Sequence, residues 1–389
     1  MSRINLLAGR VRRGQVGDAA TKIDGTAGEQ GSVVGRTPVL GLGRMAVSAR
    51  SAMLGSDDDT EDDDGAVQVA HGSGRVDLRI SRFRTGGWRQ SGSPSPTGGG
   101  ATVTGAFDEV DFAVDGAKRF GQLRIVDPDM PTVVLLCGLG FHTFEYVALA
   151  KLLADRGINT FSFDFRGHGR SDGRRGAWTI NDLVKDTQAA LDTLEDRQLR
   201  RVTLLGDSLG AMVAIATAGV DDRPASVVAS NAPARLGDFL LTPFRRVVFA
   251  AVKPIASAVP LRISVNHFYS YEQLIGDDAW IDAIKHDPLI SDARRLTVNT
   301  YRNLLDDWDG EASIGLLRCP VLVVHGELDN LQPSNQTEML FAAAHEPKQR
   351  LALQCGHLPH LERPTEVADR VAAWVFGLPD NPASSTGRP

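Results

Sequence analysis

The sequence predicts an α/β fold, a mostly parallel eight-stranded sheet with helices on both faces and one helical insertion. Three observations carry that expectation. From Asp108 onward short apolar runs alternate with helical stretches; one long break, residues 232–316, carries no comparable alternation; and the alternation then resumes. Strands joined by helical crossovers run parallel and are covered on both faces.

Val110–Val114 and Gly121–Val126 read as the two strands of a hairpin. Thr132–Cys137 is continuously apolar, as a strand buried on both faces must be. Helical spacing runs from Thr143 to Arg156, where Gly157 supplies a stop. Ile158–Phe163 is then a strand, Asn181–Glu195 a helix, Arg201–Leu205 a strand, Leu209–Ala218 a helix and Ser226–Ser230 a strand. Beyond the break come a strand at Val321–Val324, a helix at Asn335–Ala344, a strand at Arg350–Leu353 and a helix at Pro364–Phe376. The core is therefore assigned to residues 105–231 and 317–378, with 232–316 as a helical cap over the carboxyl ends of the strands.

Residues 1–104 differ in kind. They hold about half of the 40 glycines, the acidic run Asp57-Asp58-Asp59-Thr60-Glu61-Asp62-Asp63-Asp64 and a Ser/Pro/Gly stretch from Ser91 to Gly100. Such a segment buries too little apolar area to offset its ordering entropy. It is expected to be largely disordered, with at most a short strand or helix around Val39–Met53, as is a tail over 379–389. A net charge of -6 gives no footing for nucleic acid. Cys137, Cys319 and Cys355 are scattered and lack any CxxC spacing, which argues against a disulfide framework and a zinc site and fits a reducing, cytoplasmic setting. No run is long enough for a membrane span, and Met1–Arg13 is too short in apolar residues for a signal peptide. No motif points to a metal, nucleotide or other cofactor.

Two stretches match Gly-x-Ser-x-Gly: Gly206-Asp207-Ser208-Leu209-Gly210 and Gly169-Arg170-Ser171-Asp172-Gly173. The pattern matters because small neighbours permit a strained strand-to-helix turn that lifts the serine oxygen above the sheet. Only Ser208 follows an apolar strand and directly precedes a helix. Ser171 lies in an Arg/Gly-rich loop.

A serine hydroxyl needs a base to take its proton, and the base needs a carboxylate to fix its tautomer. Asp329 follows the strand at Val321, and His357 follows the strand ending near Leu353, so the chain order is Ser, Asp, His with each partner at a strand end. Glu327 is expected to face away, His360 to support the loop or last helix, His325 to be a buried, hydrogen-bonded histidine, and Asp306, Asp307 and Asp309 to be solvated. Oxyanion stabilisation needs two backbone N–H groups. Leu209 is one candidate; the other comes from Cys137-Gly138-Leu139-Gly140, with Leu139 preferred and Gly140 and Gly138 behind it.

Together these residues resemble the α/β-hydrolase superfamily, and within it the monoacylglycerol lipase and lysophospholipase group, over residues 108–377. Leu139-Gly140-Phe141-His142-Thr143-Phe144-Glu145-Tyr146 is similar to that group's Gly-x-x-His-Ser-Gly-Arg-Tyr loop at Gly140, His142 and Tyr146. Asp164–Gly176, Gly356–Pro364 and Asp287-Pro288-Leu289 resemble further elements of the group. Cys137 and Asp207 depart from it, each standing where the group has histidine; a buried small residue and a hydrogen-bonded loop support are the expected roles. The resemblance implies the α/β-hydrolase fold and a serine hydrolase acting on a small lipophilic ester such as a monoacylglycerol or lysophospholipid. Thioester, carbon–carbon and amino-terminal peptide hydrolysis on the same triad stand as alternatives, as does a non-catalytic binding protein. Phe141, His142, Phe244 and Phe249 are the candidate substrate contacts. The run Leu236–Pro260 is expected to pack its apolar side on the core, or to line an acyl pocket and touch a membrane through its basic side. The oligomeric state is left open.

Overall fold

A computed structural model describes residues 69–72, 75–78, 107–256 and 261–378. The element expected around Val39–Met53 and the tail 379–389 lie outside the described residues. Within 1–104 the described part is one antiparallel pair, Val69–Gly72 with Arg75–Leu78.

The main sheet has eight strands: β1 Asp108–Val114, β2 Ala117–Arg124, β3 Thr132–Leu136, β4 Asn159–Phe163, β5 Val202–Asp207, β6 Ser226–Ser230, β7 Val321–Gly326 and β8 Lys348–Leu353. Their order is β8-β7-β6-β5-β3-β4-β2-β1. The pairs β1–β2 and β2–β4 are antiparallel and all others parallel. This is the α/β-hydrolase fold expected from the sequence. The sequence alone explains which strands are central. Every residue of β3, β4, β5, β6 and β7 is buried, in keeping with their mostly small and apolar composition, with Asn159, Asp207 and His325 as the large polar exceptions. The two edges alternate instead, with Asp108, Glu109 and Asp111 exposed on β1 and Gln349 and Arg350 on β8. Charges on edge strands oppose pairing with another chain.

Helices α1 Val147–Ala154, α2 Ile180–Asp196, α3 Leu209–Ala218, α10 Ser334–Ala343, α11 Pro359–Glu362 and α12 Pro364–Gly377 cover the sheet. A 3-10 turn at Thr143–Tyr146 leads into α1, so the stretch read as one helix is two segments; Gly157 ends it with φ 79°. Thr179 caps α2 through a reciprocal capping box with Asp182.

Between β6 and β7 lie α4 Gly237–Leu240, α5 Pro243–Ala256, α6 Asp278–His286, α7 Pro288–Ala293, α8 Val298–Arg302, a π-helical turn at Asn303–Asp307 and α9 Gly310–Ile314. The insertion is not wholly helical: Arg262–Ser264 pairs antiparallel with Arg295–Thr297. A second departure concerns α5. Phe244, Val247 and Val248 are exposed, at 77%, 69% and 44%, rather than packed on the core. These residues are spaced i, i+3, i+4 and share one face. The arginines beside them bind backbone carbonyls of the insertion: half-buried Arg245 donates to the His267 carbonyl, and Arg246, itself exposed, donates to the carbonyls of Gly237 and Leu241.

Candidate active site

At the end of β5 the chain turns sharply into α3, and Ser208 sits in the turn with φ 51°. A non-glycine residue in that region carries about 1–3 kcal/mol of strain, held only when the surroundings over-determine it. Two features do so here. The Ser208 N–H donates to the Ser230 carbonyl at 2.9 Å. A Cβ on Gly206 would run into the backbone of Gly210, and one on Gly210 into the Leu136 carbonyl, so only glycines allow β5, α3 and β3 to approach this closely.

Asp329 stands in the turn after β7, its side chain buried. One carboxylate oxygen accepts from the N–H groups of Leu331 and Gln332, both at 2.8 Å. The other meets His357 Nδ1 at 2.6 Å. Burial alone would raise this carboxyl, but the His357 charge and hydrogen bond and the two backbone donors leave it below its ordinary value. For His357, burial works to lower the pKa, and the charge and hydrogen bond of Asp329 outweigh it, leaving the imidazole above the ordinary histidine value. His357 Nε2 is buried and has no hydrogen-bond partner in the protein.

Ser208 and His357 line one cleft. Its other walls are Leu139, Leu209, Met212, Leu331 and Gln332 from the core and Leu236, Phe239, Leu240, Tyr269 and Leu304 from the insertion. The wall is apolar apart from Gln332, the Tyr269 hydroxyl and the Ser208 and His357 groups. Leu139 belongs to a tight turn in which Phe141 N–H donates to the Gly138 carbonyl at 3.1 Å and Gly140 has φ 79°. A positive φ at that third position is the mark of a type II turn and is why glycine stands there. Leu209 is the first residue of α3, so its N–H has no carbonyl one turn earlier to bind. Leu139 and Leu209, the two residues whose backbone N–H groups are expected to meet an oxyanion, line the same cleft as Ser208.

The four expected substrate contacts lie elsewhere. Phe141 is buried in the core cluster, and Phe249 is half-buried against it. His142 Nε2 pairs with Asp287 across to the insertion at 2.9 Å. Phe244 is directed to solvent. Phe239, Leu240 and Leu236, from the same apolar run, take the place in the cleft wall. Periodicity could not choose among them, because α4 and α5 are separate helices broken at Leu241-Thr242.

Ser171 is buried and committed to structure: its hydroxyl donates to the Asp164 carbonyl at 2.5 Å and accepts from Phe120 N–H at 2.9 Å. Glu327 faces outward and pairs with Gln354. His360 lies 3.4 Å from Glu145 and stacks on Tyr146. His325 is buried, but its Nδ1 lacks the hydrogen bond expected for it. Asp309 caps α9, and Asp307 accepts from Asn303. Cys137 is fully buried, and burial, with Glu145 and Asp164 nearby, pushes its thiol well up, so it is unreactive packing. Asp207 is buried and accepts from the Ser230 hydroxyl at 2.7 Å; burial lifts its carboxyl to about 6 against the opposing charges of His360 and His357. One organising residue escaped the sequence reading. Asn231, just past β6 with φ 43°, donates to the His357 carbonyl at 2.8 Å and accepts from Gly326 N–H at 3.0 Å, tying the histidine loop to the end of β7. Asparagine tolerates that backbone region, but its sequence position gives no hint of its partners.

Among the described residues no group of three or more His, Cys, Asp or Glu side chains is placed to hold a metal ion. No helix among them is long and apolar enough to cross a membrane. A family model described as serine aminopeptidase, S33, matches residues 128–363. The chain belongs to that hydrolase family. This S33-family chain is 26% identical over 291 residues to the monoacylglycerol lipase of Mycolicibacterium smegmatis, covering 70% of itself and 98% of that protein. It is also 26% identical over 233 residues to the uncharacterized protein YfhR of Salmonella typhi; there the match takes in 58% of this chain and spans only 63% of YfhR. Among solved structures it is similar to the monoacylglycerol lipase of Paleococcus ferrophilus, with a TM-score of 0.57 and 22% identity over 68% of this chain and 99% of that one. That likeness speaks to the fold alone, which is the α/β-hydrolase fold.

Proposed function

We propose that this hydrolase cleaves small lipophilic carboxylic esters through an acyl-enzyme on Ser208. The observation that carries the reading is the 2.6 Å pairing of His357 Nδ1 with Asp329, which leaves Nε2 as the free ring nitrogen in a cleft shared with Ser208. His357 Nε2 takes the Ser208 proton as the oxygen attacks the ester carbonyl. The oxyanion is met by the N–H groups of Leu139 and Leu209. Collapse of the tetrahedral species expels the alcohol, which receives the proton from His357. Water then attacks the acyl-enzyme with His357 again as base, and the acid and free serine are released. In this reading residues 232–316 act as the cap, and Leu236, Phe239, Leu240 and Leu304 take up the acyl chain. The outward Phe244, Val247 and Val248 support contact of the cap with a lipid surface that supplies such esters. An aminopeptidase reading is less well supported, because recognition of a substrate ammonium calls for a carboxylate and none is among the residues lining the cleft.

Labelling with a serine-reactive fluorophosphonate and hydrolysis of p-nitrophenyl butyrate test the proposal. Ser208→Ala is expected to abolish labelling and to cost on the order of a million-fold in turnover. Ser171→Ala should lose stability by about 1–3 kcal/mol, through its two buried hydrogen bonds, with most activity retained. The reverse pattern refutes the assignment.

A further inference from the structure

Arg294, the residue after α7, is 1% exposed and the largest fully buried side chain among the described residues. A guanidinium is permanently charged, and a buried one ordinarily meets a carboxylate. Arg294 has none within ion-pair distance among the described residues. Nη2 donates to Asn266 Oδ1 at 3.2 Å, and the cation lies over the rings of Tyr269 and Tyr271, 5.1 and 4.8 Å from their centroids. Nε is buried without a partner. The remaining arm points at the cleft wall: Nη1 reaches the Leu139 carbonyl at 3.5 Å. The Arg294 stem also fills the space where a side chain on Gly140 would stand. The insertion thus drives a buried cation, without a counter-ion, against the turn whose Leu139 N–H is a proposed oxyanion donor.

We infer that Arg294 is a positioning residue for the oxyanion site: it fixes the Leu139–Gly140 peptide and sets uncompensated positive charge behind the place where negative charge develops. This rests on the serine-hydrolase reading. An environment organised in advance for charge that appears only in the transition state raises kcat and leaves ground-state binding alone. It also makes residues 232–316 part of the catalytic machinery as well as a wall of the cleft.

The test is Arg294→Met, which keeps length and packing against the two tyrosines but removes charge and donors. Removing an oxyanion donor itself costs about a hundredfold to a thousandfold; a support acting through Leu139 should cost about tenfold to a hundredfold in kcat, with KM within about threefold. The affinity of an alkylboronic acid, which forms a tetrahedral anion on the serine, should fall in parallel with kcat. Arg294→Lys, retaining the charge, should recover a large part of both. A kcat within about threefold of the native value overturns the inference, as does a kcat loss that leaves boronate affinity unchanged. Should the methionine variant not fold, the neutral Arg294→Gln carries the same expectations. Fluorophosphonate labelling of Ser208 separates the two claims: labelling with an unaltered Arg294→Met overturns the inference alone, and absent labelling in the native protein overturns the reading beneath it.

Discussion

Replacing Asp329 by asparagine should remove catalysis by turning over one imidazole tautomer, and the structure specifies how. Oδ1 is held by the N–H groups of Leu331 and Gln332 at 2.8 Å. In Asp329→Asn the amide oxygen must keep that place, because the reverse orientation would set an NH2 group against two N–H donors. That would forfeit two buried hydrogen bonds at about 1 kcal/mol each, plus the desolvation of the groups left unpaired. The amide nitrogen is therefore left facing His357 Nδ1, where the carboxylate oxygen stood at 2.6 Å. A donor there makes Nδ1 an acceptor and moves the ring proton to Nε2, the atom that has to receive the Ser208 proton. The wrong tautomer costs about four orders of magnitude in turnover, or about 5.5 kcal/mol of transition-state stabilisation. Steady-state kcat/KM on p-nitrophenyl butyrate, with circular dichroism and thermal melting to establish folding, measures it. A folded Asp329→Asn protein within about tenfold of native activity would refute the reasoning and mean that another acid serves His357. The native pH profile offers a check on the same pair. Only neutral His357 is a base, and Asp329 holds its pKa above the ordinary value of about 6.5. Activity should rise with pH through a midpoint above that value.

Two further outcomes follow from the same geometry. Asp207 has a folded carboxyl near 6 against about 3.9 unfolded, so the native state binds the extra proton between those values. Stability should then fall as pH rises from about 4 through 6, by on the order of 3 kcal/mol, and Asp207→Asn should flatten that fall in urea titrations; parallel curves for the two proteins would contradict it. In the p-nitrophenyl series, each methylene entering the cleft should raise kcat/KM roughly fourfold, about 0.8 kcal/mol. Joint Phe239→Ala and Leu240→Ala should flatten the slope from acetate to octanoate, while joint Phe244→Ala and Phe249→Ala should leave it intact. A native profile that peaks at acetate would remove the lipophilic reading.

The strand–helix alternation was legible because burial on both faces leaves a strand little but apolar residues, and β3, β5 and β7 are such runs. Ser208 could be separated from Ser171 for a local reason: a strained serine needs a strand before it and a helix after it. The structure adds the complement, that Ser171 spends both its lone pair and its proton on backbone groups of Phe120 and Asp164. Asp329 and His357 were likewise readable, since each follows its own strand and parallel strands bring their carboxyl ends to one side.

What the sequence could not decide is which side chains of the insertion face Ser208. Phe239 and Phe244 stand five residues apart in one apolar run, yet one lines the cleft and the other is 77% exposed. A hydrophobic pattern records that a face is apolar; it does not record which body that face meets. The same holds for Asn231 and Arg294. Each is an ordinary residue in its own stretch of chain, and each acquires its place through groups about 95 to 155 positions away, Gly326 and His357 for the first and Leu139 for the second. The sequence by itself determined the sheet and the elements that present Ser208, Asp329 and His357, because those depend on local burial and turn chemistry. Only the tertiary structure decided the wall of the cleft and the supports behind it, because hydrogen bonds and packing between distant segments leave no periodic trace along the chain.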